Sequence, residues 1–460
     1  MHTAIWWIRR DLRLHDNPAL SHALEHAEQV IPLFILDPHL LSNPPTQRDL
    51  FLFEALHALD KNLQIRNSRL IIRKGNPLAV LQKLSSVLGG SLIVAEADHS
   101  PYAISRDEEV GKHLPLHTLT GLTVHPPRAV RKSDGGPYSV YTPYSRVWKS
   151  LPTPGKPIGS LEVLPEIDEA ILSTDIPTGK SFDRFPASEK AARKRLVSFL
   201  DDPVFMYQKK RNALAVDGTA RISPYLKFGL LSMRETVYQA KACLDATDNQ
   251  SAKQGCTTWL NELIWREFYF SILANFPHIV HQSYRENLRD LRWADDPHGL
   301  KAWQEGLTGY PVVDAAMRQL RETGWMHNRA RMITASFLTK DLLIDWREGE
   351  RWFMQHLVDG DLASNNGGWQ WTAGTGTDAA PYFRIFNPIL QSKKFDPDGI
   401  YIRRWVPELA HLDAAQIHTP WKNPNLKADY PAPIIDHRAA RERTLAAYKS
   451  AKTRWEDQSK

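Results

Sequence analysis

Residues 70–95, LIIRKGNPLAVLQKLSSVLGGSLIVA, decide the N-terminal fold. A β-rich run at 70–72 gives way to an amphipathic stretch at 77–88, and a second β-rich run follows at 92–95. Strand, helix and strand in turn build a parallel sheet covered on both faces. Outward from this unit, 4–8, 30–36 and 116–124 read as further strands, and 48–65 reads as a helix. Ser100 and Pro101 supply the N-cap and first-turn signals of another helix running to residue 114. Neither GxGxxG nor a Walker A motif occurs, which argues against the common phosphate-cradling loops.

Residues 151–186 carry prolines at 152, 154, 157, 165, 177 and 186 with few periodic apolar positions, the pattern of a linker draped over a surface. Helical periodicity then takes over at 189–200, 232–244, 254–275, 312–322, 328–338 and 348–357, with a basic amphipathic stretch at 438–454. The expected architecture is α/β plus all-α. A Rossmann-like parallel-sheet domain (1–130) is joined by a long linker (131–187) to a helical domain (188–460).

A chain of 460 residues favours two domains, and 42% hydrophobic with 24% charged residues is a globular composition. The net charge of +6 is compatible with a polyanionic partner and also with simple solubility. Cys243 and Cys256 alone cannot form a disulfide scaffold or a four-cysteine zinc site, so a reduced, cytosolic chain without a metal is expected. The apolar run at 4–8 is short and meets Arg9, Arg10 and Asp11 at once, unlike a signal peptide, and no run approaches membrane-spanning length.

Ten of the 15 tryptophans fall between residues 259 and 405. That density implies a binding surface, a stacking site, or both. Within 254–275, Trp259, Glu262 and Arg266 share a helical face with Trp265 beside them. An exposed Glu262–Arg266 ion pair is one reading; a pocket that stacks and hydrogen-bonds an aromatic ligand is the other. In GWMHNRARM, Met326, Ala330, Ile333 and Phe337 form a buried stripe, with Trp325, Asn328 and Met332 directed elsewhere. His327 reads as structural, and Arg331 as a partner for Asp359 or Asp361. Tyr207 and the polar turn GTARIS suit either a pyrophosphate or an ordinary helix cap. The run from 359 to 388, DGDLASNNGGWQWTAGTGTDAAPYFRIFNP, reads as an Asn-Asn-Gly-Gly turn and tryptophans walling a flat, partly polar cofactor.

These motifs resemble the photolyase/cryptochrome family, most closely the class I enzymes of bacteria that repair cyclobutane pyrimidine dimers. The resemblance runs from IWWIRRDLRLHDNPAL to IHTPW near residue 421, and is densest in WLNELIWREFY, TGWMHNRARMITASFLTKDLLIDWREGE and the segment after Asp359. It implies light-driven electron transfer from reduced, anionic FAD to a flipped dimer, splitting the cyclobutane ring. By resemblance, FAD is held by Tyr207, Thr219, Ala220, Arg221, Ile222, Ser223, Trp259, Arg266, Trp325, Asn328, Arg331, Asp359, Asp361 and Asn365, with Asn365 facing flavin N5. Ala220 replaces a serine of many relatives. Glu262 matches the acid at the dimer's carbonyl edge, Trp265 and Trp371 flank the dimer, and Met332 lies at its edge. Arg211, Arg266, Arg329 and Gln391 match DNA-backbone contacts, and Trp293, Trp346 and Trp369 match an electron-transfer chain.

Folate-binding relatives carry an Asn-Glu pair aligned with residues 102–103. It is missing here, so the resemblance implies a deazaflavin antenna ahead of methenyltetrahydrofolate. A (6-4) photolyase would carry a His pair near His327, and a cryptochrome a long C-terminal extension; about one helix follows Trp421 on an ordinary length scale. A thermal flavin dehydrogenase would need a nicotinamide fingerprint. The expected partner is UV-damaged DNA, bound by a cytoplasmic, nucleoid-associated monomer without membrane contact.

Overall fold

The computed structural model describes residues 2–160, 162–422 and 429–458. The chain divides into two compact units, one of residues 1–208 and 219–277, the other of 209–218 and 278–460.

The first unit is built on β1 (Thr3–Ile8), β2 (Gln29–Leu36), β3 (Ile71–Lys74), β4 (Leu92–Glu96) and β5 (Leu116–Leu119), all parallel and ordered β3-β2-β1-β4-β5. Each run expected to be a strand forms one, although the last ends at Leu119 rather than residue 124. β1 and β4 are buried along their whole length, as parallel strands covered on both faces must be. Between strands lie α1 (Pro18–His26), α2 (Gln47–Gln64), α3 (Pro77–Val87) and α4 (Pro101–His113). Asn17, Thr46, Asn76 and Ser100 cap them, each side chain accepting from a backbone N–H of the first turn. The strand order reverses between β1 and β4, so a crevice is expected beyond their carboxyl ends.

The proline-rich stretch is more than a solvated strap. It contains α5 (Tyr141–Ser150), and Ile167 and Ile171 join the core of the sheet. Thr174 N–H donates to Ile72 O at 3.0 Å, continuing the pairing beside β3. The unit closes with α6 (Glu189–Asp201), α7 (Tyr207–Lys210, which runs into the second unit's sequence), α8 (Ser223–Phe228), α9 (Met233–Asp245) and α10 (Gln250–Asn275). Asn249 caps α10, so that helix starts four residues before the apolar period becomes legible.

The second unit is helical: α11 (Pro297–Glu305), α12 (Pro311–Thr323), α13 (Asn328–Ser336), α14 (Trp346–His356), α15 (Leu362–Ala373), α16 (Pro388–Phe395), α17 (Ile400–Trp405) and α18 (His437–Gln458). Its core gathers Trp303, Trp346, Trp369 and Trp405 with Met317, Phe337 and Phe353. After Ser336 the chain widens into a π-helix, Phe337–Asp341, instead of continuing α13 to residue 338. Among the described residues, no helix is long and apolar enough to cross a membrane.

Residues 359–373 overturn the turn expected from Asn365, Asn366, Gly367 and Gly368. They lie inside α15, which Asp361 caps by accepting from Ser364 N–H at 3.1 Å and Gly374 ends at φ +80°. Trp369, Ala373 and the buried Asn366 pack inward, and that packing outweighs the poor helix propensity of two glycines.

Candidate functional site

In the first unit, Tyr207 and Trp259 both pack on Phe199, with ring centroids 5.9 and 5.2 Å away. The GTARIS segment runs beside them in sequence. Arg195 holds it by donating to Ala220 O at 2.8 Å and Thr219 O at 3.2 Å. Arg221 adopts φ +50°, a left-handed conformation uncommon outside glycine. Turning two consecutive carbonyls toward Arg195 and reversing the backbone at Arg221 shapes a polar loop around Thr219, Ala220, Arg221, Ile222 and Ser223. The helix that follows has only six residues.

On α10, Glu262, Trp265 and Arg266 are half-buried, whereas Trp259 is buried. One face of Trp265 is covered by Tyr141, with centroids 3.8 Å apart and planes 5° from parallel. Arg266 donates to Leu122 O at 2.7 Å and lies 4.5 Å from the Phe270 ring. The neighbouring Glu267, not singled out by its sequence pattern, accepts from Val124 N–H at 2.8 Å, His125 N–H at 3.4 Å and Trp148 Nε1–H at 3.2 Å. It ties α10 to α5 and to the chain beyond β5. Burial pushes its carboxyl up to about 7, against the pull of those donors and of Arg266.

In the second unit, Arg331 donates to both carboxylate oxygens of Asp359, at 3.1 and 2.8 Å, and to Met326 O at 2.9 Å. This is the pair expected from the sequence, and the Asp359 side chain is almost wholly buried. Asn328 is exposed, Met332 is half-buried and Trp325 is buried. His327 caps α13 by accepting from Arg329 N–H at 3.1 Å, a structural duty. Arg329 reaches Asn212 Oδ1 at 2.8 Å and lies 4.4 Å from the Phe395 ring. Burial, and then the positive charge of Arg211, lower the Arg329 pKa. Gln391 Oε1 is buried with no hydrogen-bond partner among the described residues.

α15 has two faces. On one, Gln370 donates to Ile279 O and Asn366 Oδ1, both at 3.0 Å, and accepts from Tyr284 N–H at 2.9 Å. On the other, Asn365, Gly368 and Trp371 follow one another at three-residue spacing and remain partly exposed. Asn365 Nδ2 donates to Glu350 O at 3.1 Å, which turns the amide so that its oxygen stays available. A Cβ placed on Gly368 would meet nothing within 4 Å. This bare helix face, with an amide acceptor one turn before it and an indole one turn after, fits a planar ligand with a polar edge. Residues with no sequence signal for this arrangement are Glu350 and Gln370, whose partners lie 15 and 91 residues away.

Trp346 and Trp369 belong to one core, and Trp293 packs against it partly buried. Trp369 meets Phe353 at 4.9 Å and Trp303 at 6.0 Å, edge to face. The Nε1 atoms of Trp346 and Trp369 have no hydrogen-bond partner among the described residues.

Comparison with known proteins accounts for these features together. Residues 4–162 match the DNA photolyase family and 259–450 the FAD binding domain of DNA photolyase. Deoxyribodipyrimidine photo-lyase of Escherichia coli is 42% identical over 98% of this chain and 99% of its own length. That of Synechococcus is 40% identical, covering 97% and 96%. A class III photolyase from Agrobacterium tumefaciens superposes with a TM-score of 0.92 at 37% identity, over 98% of both chains. The fold and site thus define a light-driven, FAD-binding DNA repair enzyme. The chain belongs to the DNA photolyase family, whose relatives here are lyases acting on pyrimidine dimers.

Proposed function

We propose that this photolyase repairs cyclobutane pyrimidine dimers, and that the bare face of α15 is where the flavin ring lies. Bound FAD in its reduced anionic form supplies, on excitation, the electron that opens the cyclobutane ring, and takes it back afterwards. The Asn365 amide oxygen accepts the flavin N5–H, an orientation supported by the Nδ2 bond to Glu350 O. The Arg331–Asp359 pair sets a fixed charge distribution beside the ring, and Asp361 adds a second carboxylate at the helix start. Tyr207, Trp259 and Arg266, with the loop of Thr219, Ala220, Arg221, Ile222 and Ser223, hold the rest of the cofactor. Trp325 and Asn328 complete the set. Ala220 brings no hydroxyl, so the phosphates are met there by backbone.

Glu262 donates a proton to the dimer's carbonyl edge. Trp265, its far side braced by Tyr141, stacks on the flipped dimer, as does Trp371, with Met332 at the edge. Arg211, Arg329 and Gln391 contact the DNA backbone. The mutual repulsion of the two arginines and the unpartnered Gln391 oxygen are what a bound phosphate and its sugar would relieve. Trp293, Trp346 and Trp369 pass electrons inward to restore the reduced cofactor. A functional division at 1–130, 131–187 and 188–460 accompanies this assignment.

The crevice beyond the carboxyl ends of β1 and β4 is the natural antenna site, with deazaflavin favoured over methenyltetrahydrofolate. Tyr102 donates to Asp37 and stacks on His39 at 4.3 Å, while Arg9 and Arg106 flank Trp7 at 4.7 and 4.8 Å. An aromatic and cationic rim of this kind suits a planar, anionic chromophore. The photolyase of Sulfolobus tokodaii, 31% identical with a TM-score of 0.85, contains two FAD molecules. The enzyme acts as a monomer in the cytoplasm, on nucleoid DNA.

The observation that carries the proposal is the Asn365, Gly368 and Trp371 face. Its test is light-dependent restoration of oligonucleotides bearing a cyclobutane dimer or a (6-4) photoproduct by purified protein. Restoration of the dimer alone is expected. Repair of the (6-4) substrate alone, or of neither, would overturn it.

A further inference from the structure

The only cysteines of the chain, Cys243 and Cys256, face each other across consecutive helices with their sulfurs 3.3 Å apart. Cys243 ends α9 and is half-exposed, while Cys256 lies in the second turn of α10 and is buried. Neither belongs to the light reaction. We propose that Cys243 and Cys256 form a reversible dithiol–disulfide modification site, oxidised by peroxide and reduced by small thiols.

The exposed member reacts first. Its thiolate attacks hydrogen peroxide, the O–O bond breaks, and Cys243 becomes a sulfenic acid with release of water. The Cys256 sulfur then attacks the Cys243 sulfur; the S–O bond breaks, the S–S bond forms, and the Cys256 proton leaves with the hydroxyl as a second water. Two thiols and one peroxide give one disulfide and two waters, and two exchanges with a small thiol restore the pair. Burial, and then the hydrogen bond with Cys243, push the Cys256 thiol up to about 12. Cys256 is therefore shielded from the oxidant and suited to resolving the intermediate rather than forming it. The bond would tie α9 to α10 three residues before Trp259.

The test uses full-length protein, freed of reductant, treated with hydrogen peroxide in the dark, and followed by intact mass with and without iodoacetamide. The expected product is lighter by two hydrogens, has no alkylatable thiol, and regains both with dithiothreitol. Cys256→Ser should instead hold a sulfenic acid on Cys243 that a cyclic 1,3-dione captures, and Cys243→Ser should stay unmodified. Two alkylatable thiols after treatment, added oxygen without loss of hydrogen, or a covalent dimer would each overturn the proposal.

Discussion

Arg331 and Asp359 show how a single pair combines stability with function. The carboxylate is nearly all buried and the guanidinium only partly exposed, so removing one partner strands the other. Arg331→Met should cost about 3 kcal/mol in denaturant unfolding and leave the purified protein with little FAD absorbance. Asn365→Asp is a subtler change at similar size. It places a negative charge where a reduced, anionic ring is proposed, so illumination should accumulate less fully reduced cofactor, read in the absorption spectrum at equal FAD content. The Arg331–Asp359 pair was legible because an arginine on an otherwise buried helix needs an acid, and two lay downstream. Asn366 and Gln370 were not. Their role depends on the Ile279 carbonyl, which no local spacing brings near.

At the scale of elements, close approach between helices decides where the tryptophans lie. A Cβ on Gly349 of α14 would fall 2.1 Å from the Trp369 ring and 2.6 Å from Leu338. Gly349→Ala should therefore destabilise by about 1–3 kcal/mol. It should also slow photoreduction of oxidised flavin while leaving repair by chemically reduced enzyme intact. Trp369→Phe should share the second effect. α10 carries a different signature. Glu267 has its folded value near 7, above the ordinary 4.5, so the neutral acid is the form the fold favours. Its contribution is full below about pH 4.5 and is lost as pH rises through 7, on the order of 3 kcal/mol in all. Glu267→Gln should flatten that slope in denaturant midpoints taken from pH 5 to 8; an unchanged slope would refute the assignment. α15 escaped a local reading because its helicity comes from the Asp361 cap and the packing of Trp369, while Asn365 to Gly368 taken alone favour a turn.

Across the whole molecule, the parallel sheet was legible because buried strands and amphipathic helices alternate with clear turn signals. The grouping of α6, α8, α9 and α10 in the same compact unit as that sheet was not, since tertiary packing and not periodicity draws them there. Charge follows the same logic. A net +6 over 460 residues is too slight for the overall field to bind DNA tightly, so affinity must come from a few placed cations. Arg211 and Arg329 are the strongest candidates, because two like charges are held close enough for one to disfavour the other. Arg211→Gln removes one charge without touching the bond of Arg329 to Asn212. The logarithm of affinity for a dimer-containing duplex should fall linearly with the logarithm of salt concentration, and the slope should shrink by about 0.9 for each lost phosphate contact. Lys74→Gln, at the exposed end of β3, changes net charge equally and should leave the slope unaltered. Equal slopes for both variants would mean that binding reads total charge, and would remove Arg211 from the DNA surface.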